Sequence, residues 1–231
     1  MSSLNSSRFD LYGPVHKGLR ALMADTLQRF GSLDVDDAAQ LEDACNQALE
    51  LCSLLRSHVD HEDEHIHPLL ERCRSGGAAQ AASEHVEHRR VLEVLAGEVR
   101  ALRAAPSTAA ADALYQNLAE LMAENLMHMR LEDLAYQNVL WQHHSDAELA
   151  ALDGRIVGTL DPKELMLFLR WMLPAMSPPQ RLGLMLALRA GAPTKVQLAV
   201  ARLAQQHLPA AAWQRLVRDL DAAQGGAASV A

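Results

Sequence analysis

Apolar residues recur every three or four positions along almost the whole chain, and no stretch alternates with the period of two that a half-buried strand needs. The pattern predicts an all-α fold. Val15, Leu19, Leu22, Met23 and Phe30 mark the buried side of a first helix from about Pro14, a residue suited to the first helical position, to Gly31. Leu41, Cys45, Ala48, Cys52, Leu55, Val59, Ile66 and Leu69 form one long stripe over about residues 36–70. After the break at Gly76-Gly77, a third helix over about 79–104 repeats the spacing at Leu92, Leu95, Val99 and Leu102. Pro106-Ser107-Thr108 supplies a turn and an N-cap, and a fourth helix over about 109–143 carries Leu114, Leu118, Leu121, Ala135 and Val139. Four long helices with short polar connections pack most simply as an antiparallel up-down four-helix bundle.

From Ser145 onward the helices shorten and carry explicit start signals. Ser145 with Glu148, Asp161 with Glu164, and Ser177 with Gln180 read as capping boxes, and Pro162 and Pro178 take first helical positions. Gly191 closes one helix and Pro193 opens the next. The strongly apolar stretch from Leu165 to Leu188 demands a packing partner, and Gly225-Gly226-Ala227-Ala228-Ser229 reads as a flexible tail. The expected organisation is a bundle over 8–144, a helical C-terminal extension over 145–223 and a tail over 224–231.

Composition narrows the function classes. The chain has 231 residues, and none of its apolar runs approaches the roughly 20 residues of a membrane span. Met1-Ser2-Ser3-Leu4-Asn5 lacks the charged-then-apolar pattern of a signal peptide, so a soluble, cytoplasmic protein is expected. A net charge of −8 without a dense Lys/Arg cluster argues against nucleic acid and anionic membrane surfaces as partners. Cys45, Cys52 and Cys73 are an odd number without zinc-type spacing and read as thiols in a reducing compartment.

The candidate chemistry lies in the histidines, of which ten of eleven fall at or before position 144. A histidine followed four residues later by a glutamate presents two metal-binding side chains on one helical face. Four such pairs occur: His58/Glu62, His67/Glu71, His128/Glu132 and His144/Glu148. At about 100° per residue, His58 and Glu62 point with Leu51, Leu55 and Leu69, whereas His67 lies about 180° from His58 at an expected solvated helix end. His128 and Glu132 continue the stripe of Leu114, Leu118, Leu121 and Asn125; His144/Glu148 straddles the break at Ser145 and suits capping. His85 and His88 fall on the stripe of Leu92, Leu95, Val99 and Leu102, and His16 sits at the inward spacing of Leu19, Met23 and Phe30. Each long helix therefore sends an imidazole inward, and two also send a glutamate. Burying so many ionisable groups is costly without compensation. Mixed imidazole and carboxylate ligands at a bundle centre suit a pair of iron or manganese ions bridged by the glutamates. His61-Glu62-Asp63-Glu64-His65 also matches the short zinc-peptidase pattern. That reading is rejected because Glu62 is already the inward partner of His58.

The ordered set His16, His58-Val59-Asp60-His61-Glu62 with Pro68, His85, and His128-Met129-Arg130-Leu131-Glu132 resembles the hemerythrin-like family, the HHE cation-binding domain, over about residues 8–144. The resemblance implies that His16, His58, His85 and His128 are terminal iron ligands and that Glu62 and Glu132 bridge two irons, with manganese or zinc as alternative metals. Oxygen-carrying members place a second histidine four residues after the first on the third helix, where this chain has Arg89. His88 or His65 is then the candidate for a fifth imidazole, and Asp133 is an alternative bridge if the register differs by one. The implied function is a non-haem di-iron protein that binds or senses dioxygen, nitric oxide, or iron and redox state. The second reading is a di-iron enzyme acting on peroxide or nitric oxide, or an iron donor for iron–sulfur cluster repair. The C-terminal helices are expected to serve as a homodimer or protein-partner surface.

Overall fold

The computed structural model describes residues 8–228. The stretch read for a signal peptide, Met1 to Asn5, and residues 229–231 of the expected tail lie outside the described residues. Among those described, all regular structure is helical: α1 (Gly13–Gly31), α2 (Ala38–His61), α3 (His67–Cys73), α4 (Ala79–Ala104), α5 (Thr108–Leu131), α6 (Gln137–His143), α7 (Asp146–Thr159), α8 (Pro162–Ala175), α9 (Pro178–Gly191), α10 (Thr194–His207) and α11 (Ala210–Ala228). Two single π turns, Glu62–Ile66 and Glu132–Tyr136, join α2 to α3 and α5 to α6, so each pair is one long rod with a local widening.

The caps explain where the rods begin. Asp37 accepts the amides of Ala39 and Gln40 at the start of α2, and Ser107 accepts that of Ala110 at the start of α5. α1 packs on α2, α2 on α4, α4 on α5, and α5 closes back on α1. The expected stripes fill this ring of four: Leu19, Leu22 and Met23, then Leu51, Leu54 and Leu55, then Leu95 and Val99, then Leu114 and Leu121, all essentially inaccessible to water. Their burial drives the fold, because each large apolar side chain removed from water contributes roughly 1.5–3 kcal/mol.

The contacts divide the chain into two compact units, one running to Leu160 and one starting at Asp161. In the first, α7 belongs with the bundle: it opens on the capping box of Ser145 and Glu148. Its Leu149 and Leu152 join Leu11, Tyr12, Ile66, Leu70, Tyr136 and Leu140 in an apolar layer. In the second, α8 to α11 bury Leu169, Leu173, Met185, Val200, Ala204, Leu208, Leu216 and Leu220 against one another. Asp161 caps α8 through the Lys163 amide, at 2.8 Å. The last helix runs through Gly225-Gly226 to Ala228, inside the stretch that the composition suggested as a tail. No described helix is long and apolar enough to cross a membrane.

Candidate metal centre

The bundle's antiparallel order brings the N-terminal parts of α1 and α4 to the same end as the last turns of α2 and α5. His16 and His85 come from the former, His58 and His128 from the latter. Glu62 and Glu132 each open a π turn. All six side chains are buried, Glu132 and His16 completely.

Their donor atoms form two tetrads that share both glutamates: His16, His58, Glu62 and Glu132 in one, and Glu62, His85, His128 and Glu132 in the other. In the first, His16 Nε2 lies 3.2 Å from His58 Nε2; in the second, His85 Nε2 lies 2.9 Å from His128 Nε2. Glu62 divides its oxygens between them, Oε1 at 3.3 Å from His58 Nε2 and Oε2 at 3.4 Å from His85 Nε2. Glu132 does the same, Oε2 at 3.4 Å from His16 Nε2 and Oε1 at 3.2 Å from His128 Nε2.

The opposite nitrogens explain why the Nε2 atoms converge. His16 Nδ1 is 2.7 Å from Asp133 Oδ1, His85 Nδ1 is 2.8 Å from Asp63 Oδ1, and His128 Nδ1 is 2.7 Å from Glu84 Oε2. An imidazole that donates from Nδ1 to a carboxylate turns the lone pair of Nε2 inward, the arrangement that orients histidine toward a metal. Two neutral imidazoles whose Nε2 lone pairs meet about 3 Å apart repel, so each pair has to hold either a proton or a metal ion between its nitrogens. Both carboxylates of Glu62 and Glu132 are also buried without a hydrogen-bond partner. A cation between them satisfies all of these atoms at once, so the residues present fit a metal pair.

Electrostatics describe the same demand. Burial opposes charge on His16, but the hydrogen bond to Asp133 and the carboxylates of Glu62 and Glu132 beside it outweigh it and raise its pKa to about 9. His128 is likewise carried to about 9, against its burial, by Glu132 and Glu84. His58 has no such support and is pushed down to about 3 by burial, despite the Glu62 charge beside it. Burial pushes Glu132 up to about 7, with the Glu62 charge adding to it, whereas the imidazoles around Glu62 hold that carboxylate well below the usual range against its burial.

The sign of the pH dependence follows. Without a cation, His16 and His128 hold protons at pH 8; with one, both must release them, so the loaded state binds fewer protons and rising pH favours loading. Loading the metal-free protein at pH 8 is expected to release about two protons per chain, read with an indicator dye in weak buffer. Uptake of metal with no proton release would contradict ligation by His16 and His128.

The two halves of the bundle are built alike. His16-x-x-x-Arg20 with His58-x-x-x-Glu62-Asp63 makes one half, and His85-x-x-x-Arg89 with His128-x-x-x-Glu132-Asp133 makes the other. The aspartates cross over: Asp133 holds His16 and Arg20, and Asp63 holds His85 and Arg89. Arg89 therefore pairs with a carboxylate behind the imidazole and mirrors Arg20. Asp133 lies behind His16 in the same way, rather than bridging the two histidine pairs.

His88 is in neither tetrad. Three residues after His85 it points about 60° away, and its ring lies edge-on to His128 at 4.8 Å between centroids. Its Nδ1 is buried without a partner, and burial, with His128 and His85 nearby, pushes its pKa down to about 4. His65 stacks on His61 instead of turning to His58. His67, expected at a solvated end, is buried; its ring stacks on His85 at 4.9 Å and its Nδ1 is 2.8 Å from Asp63 Oδ1. The π turn explains both positions. Its extra residue turns everything after it back by about 100°, so His67 ends about 80° from His58 and His65 about 120° from it. Sequence reasoning passed over Asp63, Glu84 and Arg20, although the repeated Glu-Asp and His-x-x-x-Arg pairs were there to signal two of them.

The family model of the hemerythrin HHE cation-binding domain matches residues 10–140, which contain every residue of the two tetrads. No curated protein and no solved structure matches the chain.

Proposed function

The chain belongs to the hemerythrin HHE cation-binding family, and from that premise we propose that it is a non-haem di-iron protein that binds or senses a diatomic ligand, dioxygen or nitric oxide. The observation that supports a pair of metals over a single one is the division of both carboxylates across the two histidine pairs. Mixed nitrogen and oxygen ligands of this kind suit iron, with manganese and zinc as competitors.

Held by the two tetrads, iron would supply redox chemistry and affinity for a small diatomic ligand. The chain's own residues set the conditions. Asp133, Asp63 and Glu84 hold three imidazoles in orientation from behind. Leu11, Ile66, Leu70, Tyr136 and Leu140 form an apolar layer in the same unit, which limits water and strengthens polar interactions beside it. Arg89 stands where oxygen-carrying members place a further histidine, so the ligand set is symmetrical, two imidazoles to each position.

The test is optical. Iron-loaded, anaerobically reduced protein is exposed to dioxygen and, separately, to nitric oxide. A stoichiometric absorption change that reverses under argon is expected for a binding or sensing protein. Continuous consumption of either gas would favour the catalytic reading, and no response to either would contradict both.

A further inference from the structure

Tyr12 is a buried polar group near the metal centre that the metal itself does not account for. It is the residue before α1, and its carbonyl accepts the His16 amide at 3.0 Å, which sets its side chain one turn ahead of His16. Its ring lies against the His16 ring, 5.3 Å between centroids, and it is 1% exposed. Its hydroxyl is buried with no hydrogen-bond partner, as are the four carboxylate oxygens of Glu62 and Glu132. By contrast, the other tyrosine of this layer, Tyr136, accepts the Ala81 amide at 3.3 Å.

The position of Tyr12 is fixed by what precedes it. Leu11 donates its amide to Gln137 at 2.9 Å, Phe9 accepts from the Trp141 indole at 2.7 Å, and Arg8 bonds to Asp146 and to the carbonyls of Trp141 and His144. A phenol held this firmly cannot swing out to water, and an unsatisfied buried hydroxyl is a cost the fold retains. A tyrosine hydroxyl is protonated at neutral pH and so has a proton to donate.

We infer that the Tyr12 hydroxyl donates a hydrogen bond to a small anionic ligand held at the metal position of His16 and His58. The inference rests on the metal reading above, and azide is the probe, since it is a small anion with its own absorption on ferric iron. Tyr12→Phe keeps the ring and removes only the donor. Iron content is expected to be unchanged and the azide dissociation constant to rise about tenfold, the loss of one hydrogen bond to a charged group.

A second measurement does not depend on metal. Because no protein group in the described structure bonds the hydroxyl, metal-free Tyr12→Phe is expected to melt no lower than the parent. A lower melting temperature for the metal-free variant would overturn the inference by showing that the hydroxyl has a partner within the protein. An unchanged azide constant would also overturn it. So would a visible phenolate-to-iron band present in the parent and absent in the variant, which would make Tyr12 a ligand. If neither protein takes up iron, the metal reading fails and the inference with it, and the metal-free melt still reports whether the hydroxyl is unpartnered.

Discussion

Glu62→Ala is expected to leave fewer than one metal ion per chain after loading and desalting, and to remove most of the thermal stabilisation that loading confers. Glu62 and Glu132 alone belong to both tetrads. Losing Glu62 takes one oxygen from each position and leaves three protein donors where there were four. It also leaves four imidazoles around a single carboxylate, in a site where an unpaired charge is expensive. Because ligand binding to the native state is also folding free energy, the lost affinity appears as a lower melting temperature of the loaded protein. Glu62→Gln separates charge from shape: it fills the same space, keeps one oxygen and should bind more than the alanine variant but less than the parent. Retention of two ions by Glu62→Ala would remove the bridging role.

The second large effect belongs to a residue that touches no metal. Asp63 Oδ1 lies 2.8 Å from both His85 Nδ1 and His67 Nδ1, while Oδ2 pairs with Arg89. Asp63→Ala therefore frees three groups, two of them buried imidazoles, and lets His85 rotate away from its inward orientation. Losing a carboxylate of this kind is expected to weaken metal binding by about 10–100-fold, measured by competition with a chromophoric chelator. Asp133→Ala removes the equivalent support from His16 and Arg20 alone and should fall at the lower end of that range. Glu64→Ala, one residue along and 71% exposed, is expected to change nothing. Equal affinities for the Asp63→Ala and Glu64→Ala variants would show that orientation from behind contributes nothing to the site.

Most of this centre is legible before any coordinates. Inward phase brings out His16, His58, Glu62, His85, His128 and Glu132, which the structure gathers, together with His88, which it leaves outside both tetrads; up to Glu62 and Glu132 the helices are regular and about 100° per residue holds. The limit of the method is physical. Glu62–Ile66 and Glu132–Tyr136 are π turns, and phase counted through them is wrong by a whole residue. His67, just beyond the first π turn, is buried instead of solvated, and His65, within it, turns to His61 instead of His58 for this reason. Pro68 is a partial signal, since a proline cannot donate to the carbonyl a turn earlier and so loosens the turn that precedes it. Nothing comparable marks the turn at Glu132.

Arg89 shows a different limit. Read against a family pattern it is only the absence of a histidine; in three dimensions it is the partner of Asp63, the counterpart of Arg20 with Asp133. The pairing joins residues of α4 to the π turn after α2 and is invisible to any rule based on spacing within one helix. Tyr12 is hidden in the same way, because an aromatic just ahead of a helix reads as core, and only the missing partner of its hydroxyl distinguishes it. At the other end of the chain, Gly225-Gly226 has the composition of a tail, yet the helix passes through it, since glycine weakens a helix without forbidding it.

The central claim is that the two tetrads hold two metal ions through shared carboxylates. The most direct test is metal content per chain by mass spectrometry, on protein loaded anaerobically with ferrous iron and then desalted. The account predicts about two ions per chain. One ion per chain, or none, would contradict it and return Glu62 and Glu132 to the role of buried carboxylates in an imidazole network.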